Sequence, residues 1–188
     1  MVAYSFVRRI KISGKIPPIA NLQTGSKNSK MTDYKEIKNA LDNYLNSLTE
    51  LTKLGVTMNK KDFTSQIGEW LVAELYNGKR ADSGIQKHWD IKIGDKYIQV
   101  KTHSKAATTT ARWSPVKYDE NAQIDEIITI VFTPDYKIKE FYKTPWNEAL
   151  KLIKRQKHRD VLNWDDQRKF QIKIEDLPNP NLLALFKI

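Results

Sequence analysis

Trp89-Asp90-Ile91-Lys92-Ile93-Gly94-Asp95-Lys96-Tyr97-Ile98-Gln99-Val100-Lys101 is the stretch that decides how the rest of the chain is read. Ile91 and Ile93 alternate with Lys92, a period of two that predicts a strand. Gly94-Asp95 is turn chemistry. Tyr97 to Lys101 predicts the returning strand of a hairpin. Residues two apart on a strand share a face, so Gln99 and Lys101 point one way and Ile98 and Val100 the other. With Asp90 beside them, one spot collects a carboxylate, an amide oxygen and an ammonium group. That set suits phosphodiester hydrolysis. A hard cation such as Mg²⁺ takes oxygen ligands, polarises a phosphoryl oxygen and acidifies a bound water. A nearby Lys positions or deprotonates that water and offsets charge in the transition state. Asp, Gln and Lys are also ordinary residues of an exposed hairpin, and these three alone leave both readings open.

Upstream, residues 62–76 predict a helix. Phe63, Ile67, Trp70, Leu71 and Leu75 fall on one apolar face. Asp62 or Thr64 can cap its start, and Gly78 can end it. Glu69, in Gly68-Glu69, lies off that stripe, on the side of Ser65, Val72 and Tyr76. It can look along the sheet edge at Asp90, or it can be a plain solvated Glu like Glu74.

Hairpin and helix together resemble the PD-(D/E)XK, or restriction endonuclease-like, nuclease superfamily. The resemblance covers residues 62–103, with weaker support downstream. Asp90 takes the place of the motif Asp, and Gln99-Val100-Lys101 that of Glu-x-Lys. Trp89 replaces the motif Pro, and Gln99 removes one negative charge. A Gln-x-Lys pair is similar to the methylated-DNA-directed branch of the superfamily. The resemblance implies an α/β fold with a central mixed sheet flanked by helices. It implies Mg²⁺-dependent hydrolysis of double-stranded DNA, with Mn²⁺ as a substitute ion. By the same resemblance Asp90 binds the metal directly, and Gln99 and the Val100 carbonyl supply neutral oxygens. Lys101 handles the attacking water, Glu69 acts on the metal through water, and the biology is restriction or defence. Cutting both strands favours a homodimer. Two alternatives stand beside this reading: a nuclease-like DNA-binding protein without catalysis, and a scaffold whose basic surface meets an acidic protein.

The 188 residues allow one domain with a sizeable core. We expect it over residues 31–188, behind a basic arm at 1–30. There is no cysteine, which excludes disulfides, thiolate metal sites and cysteine nucleophiles, and fits a reducing, cytoplasmic setting. No apolar run approaches the ~18 residues needed to span a bilayer. The net charge of +10 favours an anionic partner, nucleic acid first, although a basic balance also serves solubility alone. Six of those charges, from Arg8, Arg9, Lys11, Lys15, Lys27 and Lys30, lie in the arm, which has no acidic residue. The arm reads equally as a phosphate-tracking extension, as a strand added to the core, or as a foreign leader before Met31.

Residues 33–54 predict a helix, with Asp33 and Glu36 at its start and Gly55 at its stop. Its stripe of Tyr34, Ile37, Leu41, Tyr44, Leu48 and Leu51 reads first as core packing and second as a dimer seam. Asp82 is a rival to Asp90 for the metal. Lys105 and Arg112 leave the hairpin near small hydroxyl residues suited to phosphate contact. His103 faces the same way as Lys101, as a candidate phosphate or water contact. His88 and His158 have no partner pattern, so zinc is not expected. Residues 125–133 predict a central strand and 137–142 its return. A proline-led helix starts near Thr144-Pro145-Trp146. Lys154, Arg155 and Lys157 crowd the expected end of that helix, either complementing its dipole or contacting DNA. Residues 169–175 predict a late strand, and Asn181 a cap for the apolar tail.

Overall fold

The computed structural model describes residues 34–59, 62–82, 88–104 and 110–186. The arm, with Arg8 and Arg9, the cap at Asp33, and Lys105 lie outside them. Helices α1 (Tyr34–Lys53) and α2 (Phe63–Tyr76) come first. Strands β1 (Lys79–Arg80), β2 (Ile91–Ile93), β3 (Lys96–His103), β4 (Trp113–Pro115), β5 (Glu126–Phe132) and β6 (Ile138–Pro145) follow. Next are α3 (Trp146–Leu152), β7 (Lys154–Arg155), β8 (Asp160–Asn163), β9 (Gln171–Ile172) and α4 (Pro180–Leu183).

The main sheet runs β1-β2-β3-β5-β6-β9, and β4-β8-β7 form a small second sheet. Within the main sheet β3 and β5 are parallel and the other pairs antiparallel, so the sheet is mixed, as expected. Helices cover both faces. Ile91, Ile98, Val100, Ile128 and Ile130 pack with Ile67, Leu71, Val72 and Leu75 of α2. On the far face Ile127 packs with Trp146 and Ala149 of α3 and with Leu162 of β8. β5 is buried along nearly its whole length, which is why its sequence is continuously apolar rather than alternating. The hairpin turns at Gly94, whose φ of +57° suits glycine. No described helix is long and apolar enough to cross a membrane.

Several elements differ from expectation. Asp62 does cap α2, accepting from Ser65 N–H at 3.3 Å. However, α2 ends on Asn77 in a left-handed conformation rather than on Gly78. Gly78 is there for packing: a Cβ would lie 2.9 Å from both Ile91 and Ile93 side chains. α3 stops at Leu152, so Lys154, Arg155 and Lys157 sit on the β7–β8 hairpin and not at a helix end. The late strand shrinks to Gln171–Ile172 between 3₁₀ turns. The final helix is capped by Asn179, not Asn181. The α1 stripe is core only at its C-terminal end, where Leu51 packs against the main cluster. Only Leu48 is buried on α1, while Tyr34, Ile37, Leu41 and Tyr44 are 46–78% exposed.

Gly68 fixes how closely α2 approaches the sheet. A Cβ there would stand 1.9 Å from the Thr102 methyl of β3, a separation that requires movement of helix or strand. Gly68→Ala is expected to cost about 1–3 kcal/mol, the usual range for overpacking, and to draw Glu69 away from the hairpin. Urea unfolding reads the first effect, and an unchanged midpoint would contradict this packing.

Candidate active site

The hairpin brings its polar residues together by a fork between β2 and β3. Ile91 pairs with Ile98, and the Asp90 N–H donates to the Ile98 carbonyl at 2.8 Å. One residue further the ladder gives way. The Asp90 carboxylate takes the Val100 N–H at 2.7 Å, which holds the carboxylate against the strand that carries Gln99 and Lys101. The Val100 N–H thus lies at the fork. Burial raises the Asp90 pKa, opposed by the Val100 N–H and by the charge of Lys101.

Glu69, on α2, lies near enough to feel the charges of Asp90 and Lys101. Its carboxyl is pushed up to about 7, first by burial and next by the negative charge of Asp90, against the pull of Arg80 and Lys101. Glu69, Asp90 and Lys101 therefore share one electrostatic neighbourhood. Among the described residues Lys101 Nζ has no hydrogen bond and no ion pair. Arg80, which was not among the expected site residues, is tethered through hydrogen bonds to the Val56 and Gly55 carbonyls at 3.0 and 2.5 Å.

Gln99 is oriented by a backbone group. Its Nε2 donates to the His88 carbonyl at 3.2 Å, and Oε1 is buried with no hydrogen-bond partner. An unsatisfied buried oxygen is costly and is what a site awaiting a cation leaves behind. His88 has a φ of +85°, a strained conformation for a non-glycine residue. Its Nδ1 lies 3.9 Å from Asp119 Oδ2. His88, Gln99, Lys117 and Asp119 line a small cleft of about 140 Å³.

Donor set and hard-cation chemistry agree: two carboxylates, an amide oxygen with no competing donor and a peptide suit an oxygen-binding divalent ion that keeps its waters. Among the described residues no group of three or more His, Asp or Glu gathers as a metal site, so any ion held here would need neutral oxygens as well. Asp82 is 86% exposed and paired with Lys79 at 3.3 Å, away from this set.

Three expected contacts are reassigned. His103 does share the Lys101 face, but its Nε2 is 2.8 Å from Ser114 Oγ and its ring lies against Trp164. Burial, then Lys101, lowers its pKa to about 4. Its ring is thus engaged by Ser114 and Trp164. The Arg112 guanidinium is taken by Glu140 at 2.8 and 3.1 Å and by Asp165 at 3.1 Å, so its charge is matched within the chain. Lys154 pairs with Asp166 at 2.8 Å. Arg155 lies over the Tyr118 ring and Arg159 over Trp113. Lys157 stands at the hairpin tip, beside a cleft shared with Lys117, His158 and Arg159. Sequence reasoning missed Trp164. Buried at 1% exposure, it donates to Ser114 at 3.0 Å and joins His103 to Arg112.

No protein-family model matches the chain, and no curated protein matches it.

The raised Glu69 pKa has a stability consequence. Folded Glu69 keeps its proton to about pH 7, against 4.5 ordinarily. Between these values the folded state binds more protons, so stability is greatest below the lower value and falls as pH rises through the upper. Glu69→Gln is therefore expected to be more stable than the parent at about pH 8, by about 1–2 kcal/mol after discounting for partial exposure. The two should be nearly equal at about pH 4. Urea unfolding at both pH values reads the difference, and a gap that does not change with pH would refute the assignment.

Proposed function

We propose that the chain is a Mg²⁺-dependent endodeoxyribonuclease that hydrolyses phosphodiester bonds in double-stranded DNA. The observation that carries this reading is the buried Gln99 Oε1, unpartnered on the strand that holds the Asp90 carboxylate, whose charge in turn raises the proton affinity of Glu69. Asp90 and Gln99 would hold the ion with the Val100 carbonyl, and Glu69 would act through water. When bound, the ion polarises the scissile phosphate and acidifies water. Lys101 orients that water or accepts its proton, and its charge offsets the developing negative charge. Asp90 fixes the fork by holding the Val100 N–H, and the His88 carbonyl holds the Gln99 Nε2, which would leave the amide oxygen for the ion.

Lys117, Arg155, Lys157 and Arg159 form a basic surface next to the cleft that Gln99 lines. Each phosphate they neutralise would add a salt-sensitive, sequence-independent contribution to affinity. A restriction or defence role follows from the superfamily resemblance. The amide at position 99 favours a second reading, a DNA-binding relative that has lost catalysis.

Plasmid incubated with the protein and Mg²⁺, or with EDTA, separates the two. Nicking that needs Mg²⁺ and disappears in Asp90→Ala supports hydrolysis. Salt-dependent binding with no cutting by the parent supports the second reading, and cutting that persists in Asp90→Ala rules out this site.

A further inference from the structure

We infer that the hairpin of β7 and β8 enters the major groove of duplex DNA and seats the duplex against the cleft that Gln99 lines. The hairpin is short and tightly closed. Arg155 pairs with Asp160, and the Gln156 N–H donates to the Arg159 carbonyl at 3.1 Å, so Lys157 and His158 form the tip. Every residue from Lys154 to Arg159 is exposed. Lys154, Arg155, Lys157 and Arg159 are cations, and like charges crowded on one turn repel each other.

The nearby carboxylates do not neutralise the tip. Asp166 takes Lys154 at 2.8 Å. Asp165 takes Arg112 and Arg168, and Glu148 takes Lys151 and Lys169. Asp160, the one acid on the hairpin, accepts instead from the Tyr118 N–H at 2.9 Å. Among the described residues Lys117, Arg155, Lys157 and Arg159 have no ion pair. Two of them are laid on aromatic rings. The Arg155 guanidinium lies 5.0 Å from the centre of the Tyr118 ring, and that of Arg159 lies 4.2 Å from the Trp113 ring. Tyr118 is itself pinned at both ends, by Asp160 at its N–H and by Glu120 at its hydroxyl. A guanidinium over a ring keeps its fork of N–H donors for two-point contact with a phosphate or a guanine edge.

Shape selects the groove. Paired strands lie about 5 Å apart, and with its side chains a two-stranded ribbon fills the major groove, about 12 Å wide, but is too broad for the minor groove, about 6 Å wide. Gln156, Lys157 and His158 then face the groove floor, and the two arginines meet phosphates at its walls. Lys117 links this element to the candidate active site. It borders the cleft of about 430 Å³ beside the tip, with Gln156 to Asp160, and also the cleft that His88 and Gln99 line. A duplex gripped by the hairpin thus runs past Gln99. The choice of DNA over another polyanion rests on the proposed function.

Fluorescence anisotropy of the full chain with a labelled mixed-sequence duplex, in EDTA at moderate salt, tests this without any cleavage. Glucosylated hydroxymethyl groups on the cytosines of the same duplex fill its major groove, and should weaken binding by on the order of 10-fold. Distamycin, which fills the minor groove, should leave the affinity within about 2-fold. Lys157→Ala and Arg159→Ala should each weaken binding by about 10-fold and lower the slope of log affinity against log salt by about 1, with far-ultraviolet circular dichroism unchanged. Binding that ignores glucosylation, binding that distamycin abolishes, or variants that bind as the parent does would overturn the inference and leave DNA binding standing. A parent that binds no duplex would sink the DNA reading and this inference with it.

Discussion

Lys101→Ala is expected to abolish Mg²⁺-dependent cleavage, by about 10³-fold or more, while binding DNA almost as tightly as the parent. Losing a charge that acts on the transition state costs about 10²–10³-fold, and losing a proton acceptor costs a further factor within about 10²–10⁴. Folding should hardly notice. Among the described residues Lys101 Nζ makes no hydrogen bond or ion pair, so truncation should cost less than about 1 kcal/mol. Lys101→Arg sharpens the test. The guanidinium keeps the charge but does not release its proton at any working pH, so it should restore charge stabilisation and not proton transfer. Steady-state nicking of supercoiled plasmid reads both variants. An active Lys101→Ala would remove Lys101 from the mechanism, and a fully active Lys101→Arg would confine it to an electrostatic role.

Gln99→Glu is expected to be the second large effect, and its sign separates a purpose-built amide from a decayed carboxylate. In this chain Nε2 is the donor to the His88 carbonyl. A glutamate would set an oxygen against that carbonyl and add a negative charge near Asp90. Without a divalent ion the variant should lose about 2–3 kcal/mol at neutral pH, the cost of an unpaired buried polar group with charge added. Excess Mg²⁺ should return most of that loss, because a ligand bound only by the folded state stabilises it by mass action. Thermal melts in EDTA and in Mg²⁺ test this. A variant as stable as the parent in EDTA would show that the His88 contact does not hold the amide in place.

The hairpin was legible because its signals are local. Gly94 marks the turn, the Ile residues alternate, and a spacing of two puts Gln99 and Lys101 on one face. β5 was legible for the opposite reason, burial on both faces, which leaves no polar residue to break the run. What failed to show was set by distant parts of the chain. Nothing near Trp164 announces that it will be buried against His103 and Ser114, and Arg112 looks like a free cation until Glu140 arrives from another strand. The stripe on α1 shows the converse. Its periodicity specified a helix with one apolar face, but periodicity is silent on whether that face meets its own core or another molecule. The cluster from Lys154 to Arg159 was misplaced because no glycine or side-chain cap marks the end of α3. The chain simply turns extended at Ile153.

The nuclease reading depends on Asp90, Gln99 and Glu69 converging on one divalent ion. Crystals of the protein soaked in Mn²⁺ and measured at the manganese absorption edge would test that convergence directly. The proposal predicts an anomalous peak within bonding distance of the Asp90 carboxylate and Gln99 Oε1, with Lys101 Nζ beside it. No peak at the fork, or a peak bound elsewhere while the fork stays empty, would contradict it.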